Sequence, residues 1–414
     1  MSLTSSVRPG PAHDRARAGT ARKRVLIVAY VFPPENIVGA LRPFRFSKSL
    51  PACGYDVTVL TSSPQPPGAP DYIRHIPRRR TFTEKVLRKF FVPGEDAIPW
   101  VRPAFRAAAR MHAAEPFSAV FSTSPPSPVH AVALLLNRRF GIPWVADFRD
   151  PMRGSSVRLA HAYPYVDRVF EPAIFRRAGA VIANTDAVAE SWKRRYPQWA
   201  HKVTAIWNGF DPDEAIGPAP IPPRSFRVLG HFGEIVGFRH PGVLLESVER
   251  LIAAGRLDPS ALRIRLFGET ESPGNPETYA ALRARGVVEE LPLPPFAQAA
   301  RLMAETDYLL LIDFTTGAPG LQVPSKLYTY IRIGRPVLAI TTRNSPVERI
   351  LGRSGIPHAC IYPDSPAEEI DCRVLDFLSL PTDPVSASDW FWENFDCTVQ
   401  TRTLASILDR LVLR

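Results

Sequence analysis

The chain has 414 residues, 45% of them hydrophobic and 22% charged, a balance near that of globular proteins and unlike a disordered, collagenous or membrane-embedded chain. That length exceeds what one hydrophobic core usually serves, so two domains of ordinary size are expected. A formal net charge of +11 favours phosphates as partners, on nucleotides, anionic lipid or nucleic acid; no helix-turn-helix, zinc-finger or RNP-type pattern accompanies it, so nucleic acid is not expected.

Residues 1–23, rich in Ser, Pro, Ala and Arg without apolar periodicity, read as a flexible basic tail. Arg24 to Tyr30 is a continuous apolar run ending in Phe32-Pro-Pro-Glu-Asn36, the pattern of a buried parallel strand and its exit loop. A helix over Ala40 to Leu50, the Cys53-Gly54 turn and a strand over Tyr55 to Thr61 complete one βαβ unit. Further strands are predicted at Ala119 to Ser122, Trp144 to Asp147, Ala180 to Asn184 and Val203 to Ile206, making six in an N-terminal domain over 24–212. The Pro-, Gly- and Asp-rich stretch at 213–223 reads as a linker. A second series of six strands (Arg227 to Phe232, Ile264 to Phe267, Val287 to Leu291, Tyr308 to Ile312, Val337 to Ile340, His358 to Ile361) predicts a C-terminal α/β domain over 224–382. The remaining 383–414 read as a helical segment that packs back on the N-terminal domain. The fold class is α/β, two Rossmann-like doubly wound domains facing each other across a cleft, with ligands expected at the carboxyl ends of the strands.

The loops after those strands hold the candidate chemistry. Gly39 stands just ahead of a predicted helix, where it either makes a tight turn or lets backbone N–H groups meet a phosphate. Asp147, Arg149 and Asp150 crowd the exit of one strand, as a sugar- or phosphate-binding set or as an internal salt bridge. Gly233 belongs to a glycine loop after the first strand of the second domain, with Arg239 and His240 before the next helix; Arg239 is a candidate phosphate ligand, and His240 a ligand or a plain helix-start residue. Ser325 is placed to cap the helix that Lys326 begins, and a cation in a first helical turn is disfavoured unless it answers an anion. Arg78, Arg79, Arg80, Lys85, Arg88 and Lys89, interleaved with apolar residues, form either a surface for anionic membrane or a solvated helix face. The four cysteines show no CxxC pair, so neither zinc nor a disulfide framework is expected. With no apolar run long enough to span a bilayer and no secretion signal, a cytoplasmic protein is expected.

Taken together and in order, Tyr30-Val-Phe-Pro-Pro-Glu-Asn36, Ala146-Asp-Phe-Arg-Asp-Pro151, Asn208-Gly-Phe-Asp211, Val323-Pro-Ser-Lys-Leu-Tyr-Thr-Tyr330 and Gly334-Arg-Pro-Val-Leu338 resemble the family 4 glycosyltransferases of GT-B fold, from Arg24 almost to the end. The resemblance implies a retaining, metal-independent transfer from a nucleotide-sugar that serves as substrate, with no cofactor, to a polysaccharide or polyprenyl-linked acceptor, at the inner face of the cell membrane. It implies a donor-phosphate role for Gly39, Gly233, Arg239 and Lys326, a place near the donor sugar for Arg149 flanked by Asp147 and Asp150, and a sugar or ribose role for positions 321, 325 and 329. Two glutamates usual in relatives are replaced here by Leu321 and Thr329, and Glu234 stands where relatives often have an arginine. Those departures motivate a second reading, a GT-B protein that binds nucleotide-sugar or membrane without catalysis; a third is a nucleotide-sugar epimerase, since that chemistry also occupies GT-B clefts, although its need for placed acid/base carboxylates is less well met here.

Overall fold

The structure, a computed structural model, describes residues 23–35, 38–78, 97–153, 164–235, 239–271, 273–313 and 323–413. Strand β1 (Lys23–Ala29) sorts its side chains by face: Val25, Ile27 and Ala29 enter one core layer, Leu26 and Val28 the other. That two-residue period with both faces apolar is what a strand covered on both sides requires. Helix α1 (Val38–Ser49) leads through a 3-10 turn to β2 (Tyr55–Thr61), paired in parallel with β1 from Lys23↔Tyr55 to Val28↔Leu60. The domain continues with β3 (Ile73–His75), α2 (Ile98–Ala114), β4 (Ala119–Ser124), α3 (Val129–Phe140), β5 (Trp144–Phe148), α4 (Pro164–Arg177), β6 (Ala180–Ala183), α5 (Asp186–Arg195) and β7 (Val203–Ala205). These strands form a seven-stranded sheet in the order β3-β2-β1-β4-β5-β6-β7. The sequence predicts six; β3 is a three-residue edge strand reading Ile-Arg-His, too short and polar to present an apolar run.

The second sheet takes β8 (Arg227–Phe232), β9 (Leu262–Phe267), β10 (Val288–Leu291), β11 (Tyr308–Ile312), β12 (Val337–Ile340) and β13 (His358–Ile361) in the order β10-β9-β8-β11-β12-β13. Its helices are α6 (Gly242–Ala253), α7 (Pro276–Ala284), α8 (Phe296–Ala304), α9 (Lys326–Ile333), α10 (Pro346–Ser354) and α11 (Ala367–Leu378). All strand pairs in both sheets are parallel, so every strand exit within a domain lies at one edge of its sheet.

Two crossings join the domains. After β7 the chain passes through Phe210, whose N–H donates to Phe395 O (2.9 Å) and whose carbonyl accepts from Cys397 N–H (3.0 Å). Phe210 also stacks on Phe391 and lies under the Arg332 guanidinium. Charges fasten the same stretch from both sides: Lys48 of α1 reaches Asp211 and Asp213, each at 2.7 Å, and Arg332 of α9 donates to the carbonyls of Asp211 and Glu214. The returning chain forms α12 (Asp389–Phe395) and α13 (Cys397–Val412). Leu404, Ile407 and Leu408 of α13 are buried against Val25, Ile27 and Phe121 of the first sheet, each contributing about 1.5–3 kcal/mol by leaving water. Among the described residues, no helix is long and apolar enough to cross a membrane.

Candidate active site

Between the two sets of strand exits lies a cavity of about 500 Å³. One wall comes from the N-terminal domain: Gly39 beyond β1, Pro125 beyond β4, Arg149 and Asp150 beyond β5, Asn184 beyond β6 and Asn208 beyond β7. The other wall comes from Gly233, Glu234 and Arg239 beyond β8, Leu293 beyond β10 and Val323 to Lys326 at the start of α9. Volumes of this size suit one small organic ligand.

The cations are concentrated on the second wall. Lys326 is partly exposed as a whole residue, yet its Nζ lies 3.2 Å from His231 Nε2, and a Cβ on Gly233 would fall 2.6 Å from the same Nζ. Gly233 also has φ +131°, a conformation other residues rarely adopt, so glycine both makes the turn and leaves room for the ammonium. His231 is buried, and its Nδ1 lies 3.0 Å from Leu310 O. A carbonyl only accepts, so Nδ1 carries the proton and Nε2 offers its lone pair to Lys326. Burial and the neighbouring Lys326 charge both keep His231 neutral, holding its pKa well below the usual histidine value. Burial of the ammonium, reinforced by Arg239, lowers the Lys326 pKa from 10.5 to about 7. Arg239 is likewise pulled below its ordinary value by burial, against the opposing pull of Asp313 in its own domain and Asp150 across the cavity. Lys326 and Arg239 thus place two desolvated cations beside the cavity.

The first wall is organised differently from expectation. Asp147 is fully buried and takes no part in the cavity lining: Arg42 Nη2 donates to it at 2.7 Å, Arg42 Nε at 3.0 and 3.2 Å, and Thr123 Oγ1 at 2.7 Å. Arg42 further donates to the carbonyls of Ile206 (2.8 Å) and Trp207 (2.7 Å), so the pair ties α1 to β5 and to the exit of β7. Of the two readings of this strand exit, the internal salt bridge describes Asp147, whose oxygens are engaged by Arg42 and Thr123 within the domain. Arg149 spends donors on the backbone: Nε on Ser124 O at 3.0 Å, and the two Nη groups on Gly39 O and Pro125 O. It therefore holds three strand-exit loops together while still lining the cavity, and burial draws its pKa down to about 10. Gly39 sits inside the first turn of α1 rather than ahead of the helix, because the helix begins at Val38. A Cβ there would meet Arg149 Nη1 at 2.7 Å, so the glycine is needed for close approach. Asp150 lines the cavity, as expected of a residue at a strand exit.

Other expected positions divide. Ser325 lines the cavity but does not cap α9: its backbone is already helical and its hydroxyl makes no capping bond. Thr329, a turn later on α9, is not part of the cavity wall. His240 is exposed and accepts a hydrogen bond from Gly242 N–H (3.3 Å), a helix-start contact. Arg78 pairs with Glu35 (2.8 Å), donates to Ser62 Oγ (2.9 Å) and stacks over Tyr30 within its own domain. Leu321, Arg79, Arg80, Lys85, Arg88 and Lys89 lie outside the described residues. Among the residues at the site that the sequence did not single out are His231 and Asn184. Asn184 follows the apolar run of β6 directly, a strand-exit position of the same kind that singled out Asp150. Among the described residues, no group of three or more His, Cys, Asp or Glu side chains is arranged to hold a metal ion.

Comparison with known proteins places this geometry. The model of Glycosyltransferase Family 4 matches residues 44–214, most of the N-terminal domain. Sucrose-phosphate synthase from Thermosynechococcus elongatus superposes with a TM-score of 0.62 at 14% identity, over 95% of this chain and 97% of that one. Anabaena HepE, solved in complex with UDP-glucose, gives 0.60 at 15% identity over 94% and 100%. A putative UDP-N-acetylglucosamine 2-epimerase from Listeria monocytogenes gives 0.54 at 10% identity over 95% and 98%. At these identities the likeness shows the fold, GT-B, made of two Rossmann-like domains. No curated protein sequence matches the chain.

Proposed function

From a chain that carries a glycosyltransferase family 4 match on a GT-B fold, we propose a retaining, metal-independent glycosyltransferase that moves a sugar from a nucleotide-sugar to a polysaccharide or lipid-linked acceptor. The observation that carries the reading is the pair Lys326 and Arg239, desolvated on one wall of the interdomain cavity and facing the first turn of α1 on the other. When the bond between the sugar's anomeric carbon and the diphosphate breaks, its electron pair goes to the phosphate oxygen. The added negative charge is then met by two cations already in place and by the N–H groups at the start of α1, without reorganisation of solvent. Stabilisation aimed at the departing group lowers the barrier because it is stronger in the transition state than in the bound donor. Asp150, on the wall opposite Arg239, is assigned to orient the accepting hydroxyl or receive its proton. The structural neighbour that is bound to UDP-glucose supports a nucleotide-sugar as donor. A place in cell-surface glycan synthesis on the cytoplasmic side of the membrane follows from the family resemblance.

The test is to incubate the purified chain with a panel of nucleotide-sugars and membrane lipid extract, and to follow released nucleoside diphosphate and labelled lipid product. Release coupled to product, lost in Arg239→Ala and Lys326→Ala, is the expected result. Undiminished turnover in both variants refutes the leaving-group assignment. Nucleotide binding without turnover favours a binding protein, and isomerised donor without release favours an epimerase.

A further inference from the structure

Asn184 is 5% exposed, lines the cavity, and its Oδ1 is buried without a hydrogen-bond partner. The other amide side chains of the same wall are engaged: Asn208 Oδ1 receives Arg42 Nη1 at 3.4 Å, and Gln400 Nε2 donates to Asn394 O at 3.2 Å. The Asn184 backbone is held on both sides. Ile206 N–H donates to Ala183 O at 2.9 Å, and Thr185 caps α5 by accepting from Val188 N–H at 3.2 Å. A rigidly presented, dry acceptor is costly to leave empty, and native structures leave few of them.

The only charges expected from a nucleotide-sugar are on its diphosphate, which Lys326 and Arg239 answer from the opposite wall. Beyond the first turn of α1, the N-terminal wall is left for the saccharide, whose hydroxyls are hydrogen-bond donors of the kind a bare amide oxygen takes. A neutral acceptor suits a hydroxyl, because it neither repels the nearby diphosphate nor competes with Asp150 for a proton.

We infer that Asn184 reads the saccharide in the cleft, its Oδ1 accepting a hydrogen bond from a hydroxyl of the transferred sugar or of the accepting one. The inference rests on the cavity's being a nucleotide-sugar site. Its test is calorimetric titration of the full chain with UDP-glucose against UDP, ADP-glucose against ADP and GDP-mannose against GDP, for the wild type, Asn184→Ala and Asn184→Asp. Initial rates against the concentration of membrane lipid extract complete the set. Asn184→Ala is expected to lose about 3- to 10-fold, the worth of one neutral hydrogen bond. If the hydroxyl belongs to the transferred sugar, the loss falls on the affinity the sugar adds to its nucleoside diphosphate; if to the acceptor, on the KM for extract. Affinity for the bare nucleoside diphosphate stays as in the wild type, which also reports that the variant is folded. Asn184→Asp, which retains an acceptor oxygen, recovers most of the increment the sugar adds, while its charge weakens binding of sugar nucleotide and bare nucleoside diphosphate alike. Both quantities unchanged in Asn184→Ala overturn the assignment and leave Oδ1 to a buried water, and an equal loss for the bare nucleotide overturns it as a general distortion of the cleft. A wild-type chain that binds none of the six nucleotides refutes the underlying site and Asn184's role with it.

Discussion

Nucleoside diphosphate binding is expected to take up a proton, and the amount follows from Lys326. Its ammonium is desolvated beside Arg239, with neutral His231 as its hydrogen-bond acceptor, and its pKa is drawn down to about 7. The anion binds the charged form. Above that value roughly nine-tenths of the charged population is lost per pH unit, so the apparent Kd rises roughly tenfold per unit between about pH 7 and about pH 9. Bound diphosphate restores the lysine's pKa by direct charge attraction, so each binding event near pH 8 draws close to one proton from solution. Calorimetric titration in two buffers of different ionisation enthalpy, Tris and HEPES, measures that proton directly. Lys326→Arg, whose guanidinium stays charged over the whole range, should bind with a flat pH profile and no proton uptake. A wild-type Kd constant from about pH 7 to about pH 9, with no dependence on buffer, refutes the placement of Lys326 against the diphosphate.

Other substitutions separate binding from folding. Gly233→Ala places a Cβ 2.6 Å from Lys326 Nζ at a φ of +131°, so nucleoside diphosphate affinity should fall about tenfold or more, read by the same calorimetry. Asp147→Ala strands Arg42 in the interior and should cost about 3–5 kcal/mol in urea denaturation. Asp150→Ala should instead lower turnover and leave the urea midpoint nearly unmoved. His130 is fully buried, its Nδ1 bonded to Ser122 Oγ at 2.8 Å, and burial drops its pKa from 6.5 to about 3. As pH falls below 6.5 the unfolded chain gains a proton that the native state refuses, so stability present at neutral pH declines, by roughly 3 kcal/mol at about pH 4. Urea midpoints of His130→Leu should show a shallower acid limb than those of the wild type.

Much of the architecture was legible because a parallel strand covered on both faces must be a continuous apolar run. Runs such as Val25 to Ala29 and Tyr308 to Ile312 announce themselves. The edge strand Ile73–His75 did not, since only one neighbour and little core depend on it. At the site, Lys326 stands out in sequence as a cation in a first helical turn, and in the structure burial and Arg239 depress its pKa. Side-chain pairing was not legible. Three charges at one strand exit read alike in sequence, but Asp147 points into the domain and finds Arg42, 105 residues away, while Arg149 turns onto Gly39, Ser124 and Pro125. His231 was hidden for the opposite reason: within an apolar strand it reads as one more core position, and only the approach of Lys326 Nζ from another helix gives it a task.

The most direct test of the account is a crystal structure of the chain with a nucleoside diphosphate. The terminal phosphate is expected between the first turn of α1 and the second-domain wall, within hydrogen-bond reach of Lys326 Nζ and Arg239. A nucleotide bound outside the cavity, or one whose phosphates lie away from both cations while Lys326 keeps His231 as its partner, would contradict it.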